Sequence, residues 1–537
     1  MQPTPDPRRP SPSGHPFIKA APLALTRRTF LHTTAGAAFL GTLGPIGTMG
    51  HAMAADASFE PELVRFSDEI EPIVRLIEET PRDKIIDAAA QLLRSGTTYK
   101  PFMAALFLAG IRNVDSGNSG FGFHCVFVIN SAHLLALDSP ASERLLPFFW
   151  ALDSFKAAQR SQPRKMKALA KDPPAGQEAI AALRAAIAAW DPAAAELALA
   201  GIARTCGAVE AFDELWRLGA KDIRPIGHKA IFVANTWRTL QTIGWQHAEP
   251  ALRSLGRSLA GYGPTTQNNG IAFDDQCHPI SDELVRAHLA QLPADWADDS
   301  TPHPGADAAM AAALLAPIRA ANPKQACTDA VTLLLAKGEH ATRARAGAIW
   351  DVVHLAAAEF MLRRPGIVSV HAVTSVNALH FAFKMARAPE TRLFILLQGV
   401  GWMAHFASIS GLSRQENPGP SILDLAAADI PGDPAAAAES ILAQVGTSRN
   451  HAACAAFAYA QRHEGKPALL AGARRLVYTK ATEAHEYKYP AAAFEDISIV
   501  SPTWRPHMLA ASTLYLPAAK APDSALIQRA KEAIAGL

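Results

Sequence analysis

Apolar residues recur at intervals of three and four along almost the whole chain, as in Ile70, Ile73, Val74 and Ile77, and runs that alternate apolar with polar residues are nearly absent. Alanine, the strongest helix former, fills many of the remaining positions, so strands are disfavoured by propensity as well as by pattern. The expected fold class is all-α: a large helical bundle or array forming one domain over residues 55–537 around a central histidine-lined cavity. With 537 residues and 49% of them apolar, such a chain can bury an extensive core. An α-solenoid, built from repeated helix pairs, would show a period of about 30 to 45 residues, and no clean period is present. Helices are expected over Asp307–Ala336, Thr342–Arg364 and Pro389–Ile409, with closing helices at 436–446, 449–463 and 467–490. Long connections are expected at 261–280, 292–306 and 413–436, where Gly, Pro and polar residues concentrate.

Residues 1–54 read as a targeting segment. Thr26-Arg27-Arg28-Thr29-Phe30-Leu31 precedes a Gly- and Ala-rich apolar stretch, and Ala52-Met53-Ala54 supplies a small-x-small cleavage pattern. That is the pattern of a twin-arginine signal, which implies the twin-arginine export machinery as a partner and a periplasmic or secreted location. The route carries folded proteins, often with a cofactor already in place. Leu393 to Ala407 is too short for a membrane span and is interrupted by His405, so no stable span is expected in the mature chain.

Charge excludes some partners. Five of the 51 Lys and Arg residues and one of the 49 acidic residues lie in the leader, which leaves the remainder slightly acidic. Nothing there suits nucleic acid or an anionic membrane. The five cysteines, Cys125, Cys206, Cys277, Cys327 and Cys454, are far apart and odd in number, so neither a disulfide framework nor a CxxC metal site is indicated. A nucleotide cofactor is not indicated either. Histidine and carboxylate are the expected ligands of any metal.

Histidines occur inside apolar runs, where an imidazole has to be paired. Gly366–Lys384 contains His371, Asn377, His380 and Lys384. His124, Asn130 and His133 repeat the same His-x5-Asn-x2-His spacing, and His228 with Asn235 gives a third version; the three segments are expected to wall one site. A backbone carbonyl can satisfy a core histidine equally well, which leaves a plain core role for His124 and His371 open. Asn130 and Asn377 fit supporting hydrogen bonds better than metal ligation. His247, His278, His354 and His405 are assigned structural or exposed roles, and Trp237, Trp245 and Trp402 are read chiefly as core. Near the end, Glu483-Ala-His485-Glu486-Tyr487-Lys488 puts His485 and Lys488 on one helix face.

The order of these motifs resembles the questin oxidase-like family. It runs from His133-Leu-Leu-Ala-Leu137, through a His-led apolar segment at His228 and a His-x-Val-Thr-Ser motif at His371–Ser375, to a His-x-x-Lys at His485–Lys488. Ala132 stands where that family has a further histidine, as does the Ile231-Phe232 region, which marks a distant branch. The resemblance implies an oxygenase that acts on a small aromatic or quinone-like substrate with O2. It also implies non-haem iron held by His133 or His124 and by His228, His371 and His485, with Lys488 carrying CO2 as a further ligand. His371, His485 and Lys488 are then the residues expected at the chemistry. Neutral imidazoles suit Fe(II). Carboxylation needs a neutral amine, and so requires Lys488 to be buried. Two alternatives stand beside this: a cofactor-free Baeyer–Villiger-type oxygenase with histidine acid–base chemistry, and a non-enzymatic periplasmic scaffold.

Overall fold

The computed structural model describes residues 62–116, 123–161, 163–262, 274–299, 305–336, 345–414, 419–465 and 467–535. The proposed signal in residues 1–54 lies outside them. Among the described residues there are 22 α-helices and no strand; two isolated bridges, Leu63 with Lys167 and Val114 with Pro163, are the extent of β-type pairing. The all-α reading therefore holds. The apolar faces merge into one contiguous core, with a small satellite under Pro434–Gln444, Arg449–Arg462 and Ala468–Lys480.

Six helices position the site: α1 (His124–Leu137), α2 (His228–Ile243), α3 (Ala346–Arg363), α4 (Ile367–Met385), α5 (Pro389–Ile409) and α6 (His485–Ile499). α1 packs on α2, α2 on α4, α4 on α6 and α6 back on α1, which closes a ring of four. α3 and α5 pack against α4 from outside that ring. α5 is long and apolar enough to cross a membrane by length and composition, longer than the Leu393–Ala407 run suggested. Its most apolar window is 83% buried by neighbouring helices, as a core helix's would be.

Several boundaries differ from expectation for local reasons. Asp307–Ala336 is two helices, because Asn322 caps a second one that starts at Pro323, and Ala321 takes a φ of 54° at the break. Cys277–His288 starts inside the segment read as loop. The stretch 467–490 is also broken, after Lys480, and a new helix opens at His485, where Glu486 reaches back to accept the Thr482 N–H at 2.7 Å. That break places His485 at a helix start rather than in mid-helix.

A candidate metal centre of converging histidines

Three helices of the ring begin with a histidine, His124 in α1, His228 in α2 and His485 in α6, and His371 lies in the second turn of α4. Each is at least 96% buried. Their rings converge: centroids are 5.0 Å apart for His124 and His228, 4.5 Å for His228 and His371, 4.6 Å for His124 and His485, and 5.0 Å for His371 and His485. The chain reaches this closeness at Gly227. Its φ is +86°, and a Cβ there would lie 2.6 Å from Cβ of Ser375 in the His371–Ser375 motif. Only glycine lets the start of α2 sit against α4.

Hydrogen bonds fix which nitrogen faces inward. His228 Nδ1 lies 2.7 Å from the Pro225 carbonyl and His371 Nδ1 lies 2.7 Å from the Ile367 carbonyl. A carbonyl only accepts, so both rings carry their proton on Nδ1. Both Nε2 atoms are then lone-pair nitrogens, and they face each other at 3.2 Å, with His124 Nε2 2.8 Å from His228 Nε2. His485 Nδ1 bonds Glu483 Oε2 at 2.6 Å, which leaves Nε2 as its ligating nitrogen as well. Facing lone pairs in a buried site repel unless a cation lies between them. Two imidazoles bound to one ion at about 2.1 Å have nitrogens about 3.0 to 3.4 Å apart for right-angled to tetrahedral geometry, close to the spacing here. Ligand atoms of His124, His371 and His485 all fall within 4.8 Å of one another. The donor set is nitrogen-only from the imidazoles, which suits iron, zinc, copper or nickel.

The electrostatics favour the metal-binding form. Burial pushes His124, His228 and His371 well below the usual histidine range, and the nearby Lys488 charge adds to this in all three. Burial raises the Glu483 carboxyl, but the hydrogen bond from His485 and its charge outweigh that and hold it below the usual range. Lys488 is 3% exposed, burial pushes its amine down to about 7, and its Nζ makes no hydrogen bond. A large fraction of Lys488 is therefore the neutral amine at neutral pH.

Beside Lys488 lies a polar gap of about 330 Å³ including its open mouth, walled by Asn130, Asn235, Arg238, Thr374 and Asn377. A smaller apolar gap runs along Phe123, Phe127 and Phe232, the last two stacked at 3.9 Å. The enclosed part of each takes a water-sized molecule and no aromatic ring.

The expected ligands His124, His228, His371, His485 and Lys488 thus come together. His133 does not. It lies nine residues beyond His124 on α1, about 14 Å along the axis, half-buried, with Nδ1 2.7 Å from the Tyr99 hydroxyl. Of the two choices for the first ligand, His124 is the one at the centre. His380 and Lys384 meet elsewhere, both on Asp299 Oδ2, at 2.8 and 3.4 Å. Asn377 turns away from the imidazoles to donate to Glu495 and Asp496.

Sequence reasoning missed the neighbours of His380. His354, 1% exposed, has Nε2 2.8 Å from His380 Nδ1 and Nδ1 3.4 Å from Asp496 Oδ2, and Asp299 is 7% exposed in the segment 292–306, read as a long connection. The signal was there: Asp351, His354 and Glu359 stand in the apolar helix α3, and Asp496 follows an apolar run in α6. Trp237 and Trp245 pack with Phe212 in an aromatic cluster, and Trp402 is fully buried. No protein-family model, curated protein or solved structure matches the chain.

Proposed function

We propose that this protein is a metal-dependent, O2-using oxidoreductase of the oxygenase type, with non-haem iron held by His124, His228, His371 and His485. The observation that carries the reading is the convergence of four buried imidazoles, three of which, His228, His371 and His485, are pinned through Nδ1 to a carbonyl or carboxylate and so turn Nε2 inward. Iron bound there supplies a place for O2 and a source of electrons. Pro225, Ile367 and Glu483 orient the rings and raise their basicity, a supporting role that buried metal sites usually need. Lys488 presents a neutral amine next to the imidazoles, the form that can take up CO2 and present a carboxylate to the iron. The polar gap admits O2 or water; an aromatic or quinone-like substrate has to displace the side chains that wall it. In the same proposal residues 1–54 direct twin-arginine export to the periplasm or beyond, after the centre has formed.

Elemental analysis of protein isolated from its native host tests this. The expected result is close to one iron per chain, lost in His371→Ala and His485→Ala with the helical circular dichroism retained. A protein without stoichiometric transition metal, or variants that bind as much as the parent, would overturn it. The cofactor-free oxygenase has one observation in its favour, the unbonded Lys488 amine near neutrality, a ready base. It requires O2 consumption with an aromatic quinol after all metal is removed. A scaffold predicts that His371→Ala changes stability alone.

A further inference from the structure

Four side chains outside the histidine centre make a second buried line. Asp299 Oδ2 lies 2.8 Å from His380 Nε2, His380 Nδ1 lies 2.8 Å from His354 Nε2, and His354 Nδ1 lies 3.4 Å from Asp496 Oδ2. Trp350 stacks on His380 at 4.5 Å with the rings 7° from parallel, and Gly399 makes room for the indole, since a Cβ there would lie 2.9 Å from it. All four members are at most 7% exposed.

The outer end opens on solvent. Asp299 shares the wall of an open surface groove with Lys384, Arg392 and Asp298. The inner end stops one side chain short of the polar gap. Asp496 Oδ1 accepts from Asn377 Nδ2 at 2.8 Å, and Asn377 lines that gap with Lys488. Glu495 and Arg238, bonded to each other, are the remaining charged groups there.

Counting protons along the line exposes its character. Each of its three contacts needs one hydrogen between two acceptors, and two neutral imidazoles bring two. The two shorter contacts use both. His354 Nδ1 and Asp496 Oδ2 are left facing each other, each buried and without a hydrogen bond. A third proton belongs in that contact. Orphaned partners of this kind are costly in a core, so the arrangement calls for a role.

We propose that Asp299, His380, His354 and Asp496 form a proton relay between the outer groove and the buried Asp496 carboxyl, which Asn377 separates from the interior polar gap, with an exchangeable proton held between His354 and Asp496. In the outward step Asp496 Oδ2–H gives its proton to His354 Nδ1, His354 Nε2–H gives its own to His380 Nδ1, and His380 Nε2–H gives its own to Asp299. Three bonds to hydrogen break and three form. One positive charge moves from Asp496 to Asp299, nothing is oxidised, and Asp299 releases the proton to water in the groove. The inward step is the reverse. Burial pushes His380 down to about 4, against the pull of Asp299. His380 therefore passes a proton without retaining it. The line stands apart from the metal centre in space; that its protons serve O2 chemistry rests on the proposed function.

Infrared spectra of the full chain, with 15N spectra of histidine-labelled protein at neutral pH, locate the proton. The expected result is a carboxylic-acid stretch that disappears in Asp496→Asn, or a doubly protonated His354. On mixing into D2O, Asp299→Asn and His380→Gln should slow exchange of that proton by about a hundredfold or more, the lower end of what a positioned proton carrier contributes. Metal content of the same samples is expected to stay at the parent value. His354 protonated on Nε2 alone with every buried carboxylate ionised would overturn the proposal, and so would unchanged exchange in both variants. The measurement on the unsubstituted protein needs no variant to fold. Loss of the metal reading leaves these signals unaltered, so the two failures are separable.

Discussion

Replacing Gly227 by alanine tests how the centre is assembled. At φ +86° an L-residue is held in the left-handed region, which costs about 1–2 kcal/mol. The new methyl would also lie 2.6 Å from Cβ of Ser375 and 3.5 Å from the Trp402 ring. Ordinary carbon contacts lie at about 3.5 to 4.0 Å, so α2 and α4 must separate, at about 1–3 kcal/mol for overpacking. The sum, about 2–5 kcal/mol, is a large share of a stability on the order of 5–15 kcal/mol. His228 is the next residue, so the same shift carries its Nε2 away from those of His124 and His371. Urea unfolding with metal analysis should show a lower midpoint at unchanged slope and weaker metal retention. In a double-mutant cycle, Ser375→Gly should restore the overpacking part, a coupling of about 1–3 kcal/mol, and leave the backbone part. Gly227→Ala within about 0.5 kcal/mol of the parent, with full metal content, would refute the argument that this close approach sets the site.

Glu483→Gln keeps the shape of the Nδ1 partner of His485 but removes its charge, and metal affinity in competitive chelator titrations should fall about 10- to 100-fold. His133→Ala should leave metal content unchanged and cost about 1 kcal/mol through the lost Tyr99 hydrogen bond; loss of metal would restore His133 as a ligand. Burial holds His247 and His380 at about 4 in the folded chain. Unfolded histidine titrates near 6.5, so the unfolded state takes up protons first and stability falls as pH drops from about 6.5 to about 4, by at most roughly 3 kcal/mol per group. Urea midpoints that are flat across that window would contradict the sign.

Much of the fold was legible because helical spacing and alanine content agree everywhere, and a pattern that consistent leaves no competing class. Three of the imidazoles that converge, His124, His228 and His371, were legible for a related reason: each stands in an apolar run and has to be paired. His485 stands in the polar run 483–488, where only the order of the motifs singled it out. The choice between His124 and His133 was not legible. Both sit on α1 in apolar surroundings, and only the packing of α1 against α2 and α6 decides which end meets the others. His354, read as structural or exposed, and Asp496, which went unread, satisfied the same criterion as His371, but their partners come from other helices and from the buried end of a connection at Asp299. Sequence supplies the demand for a partner; tertiary contact supplies its identity.

The closed ring of four helices has a topological consequence. His124 and His485 are 361 positions apart, and between them the backbone leaves and re-enters the ring through α2 and α4. A single ion seated among the four rings would act as a clasp on that entire excursion, and tying off so long a segment removes more freedom from the disordered chain than any local clip could. Limited proteolysis of metal-free and metal-loaded protein would register the difference as a change in how much of the polypeptide opens at once.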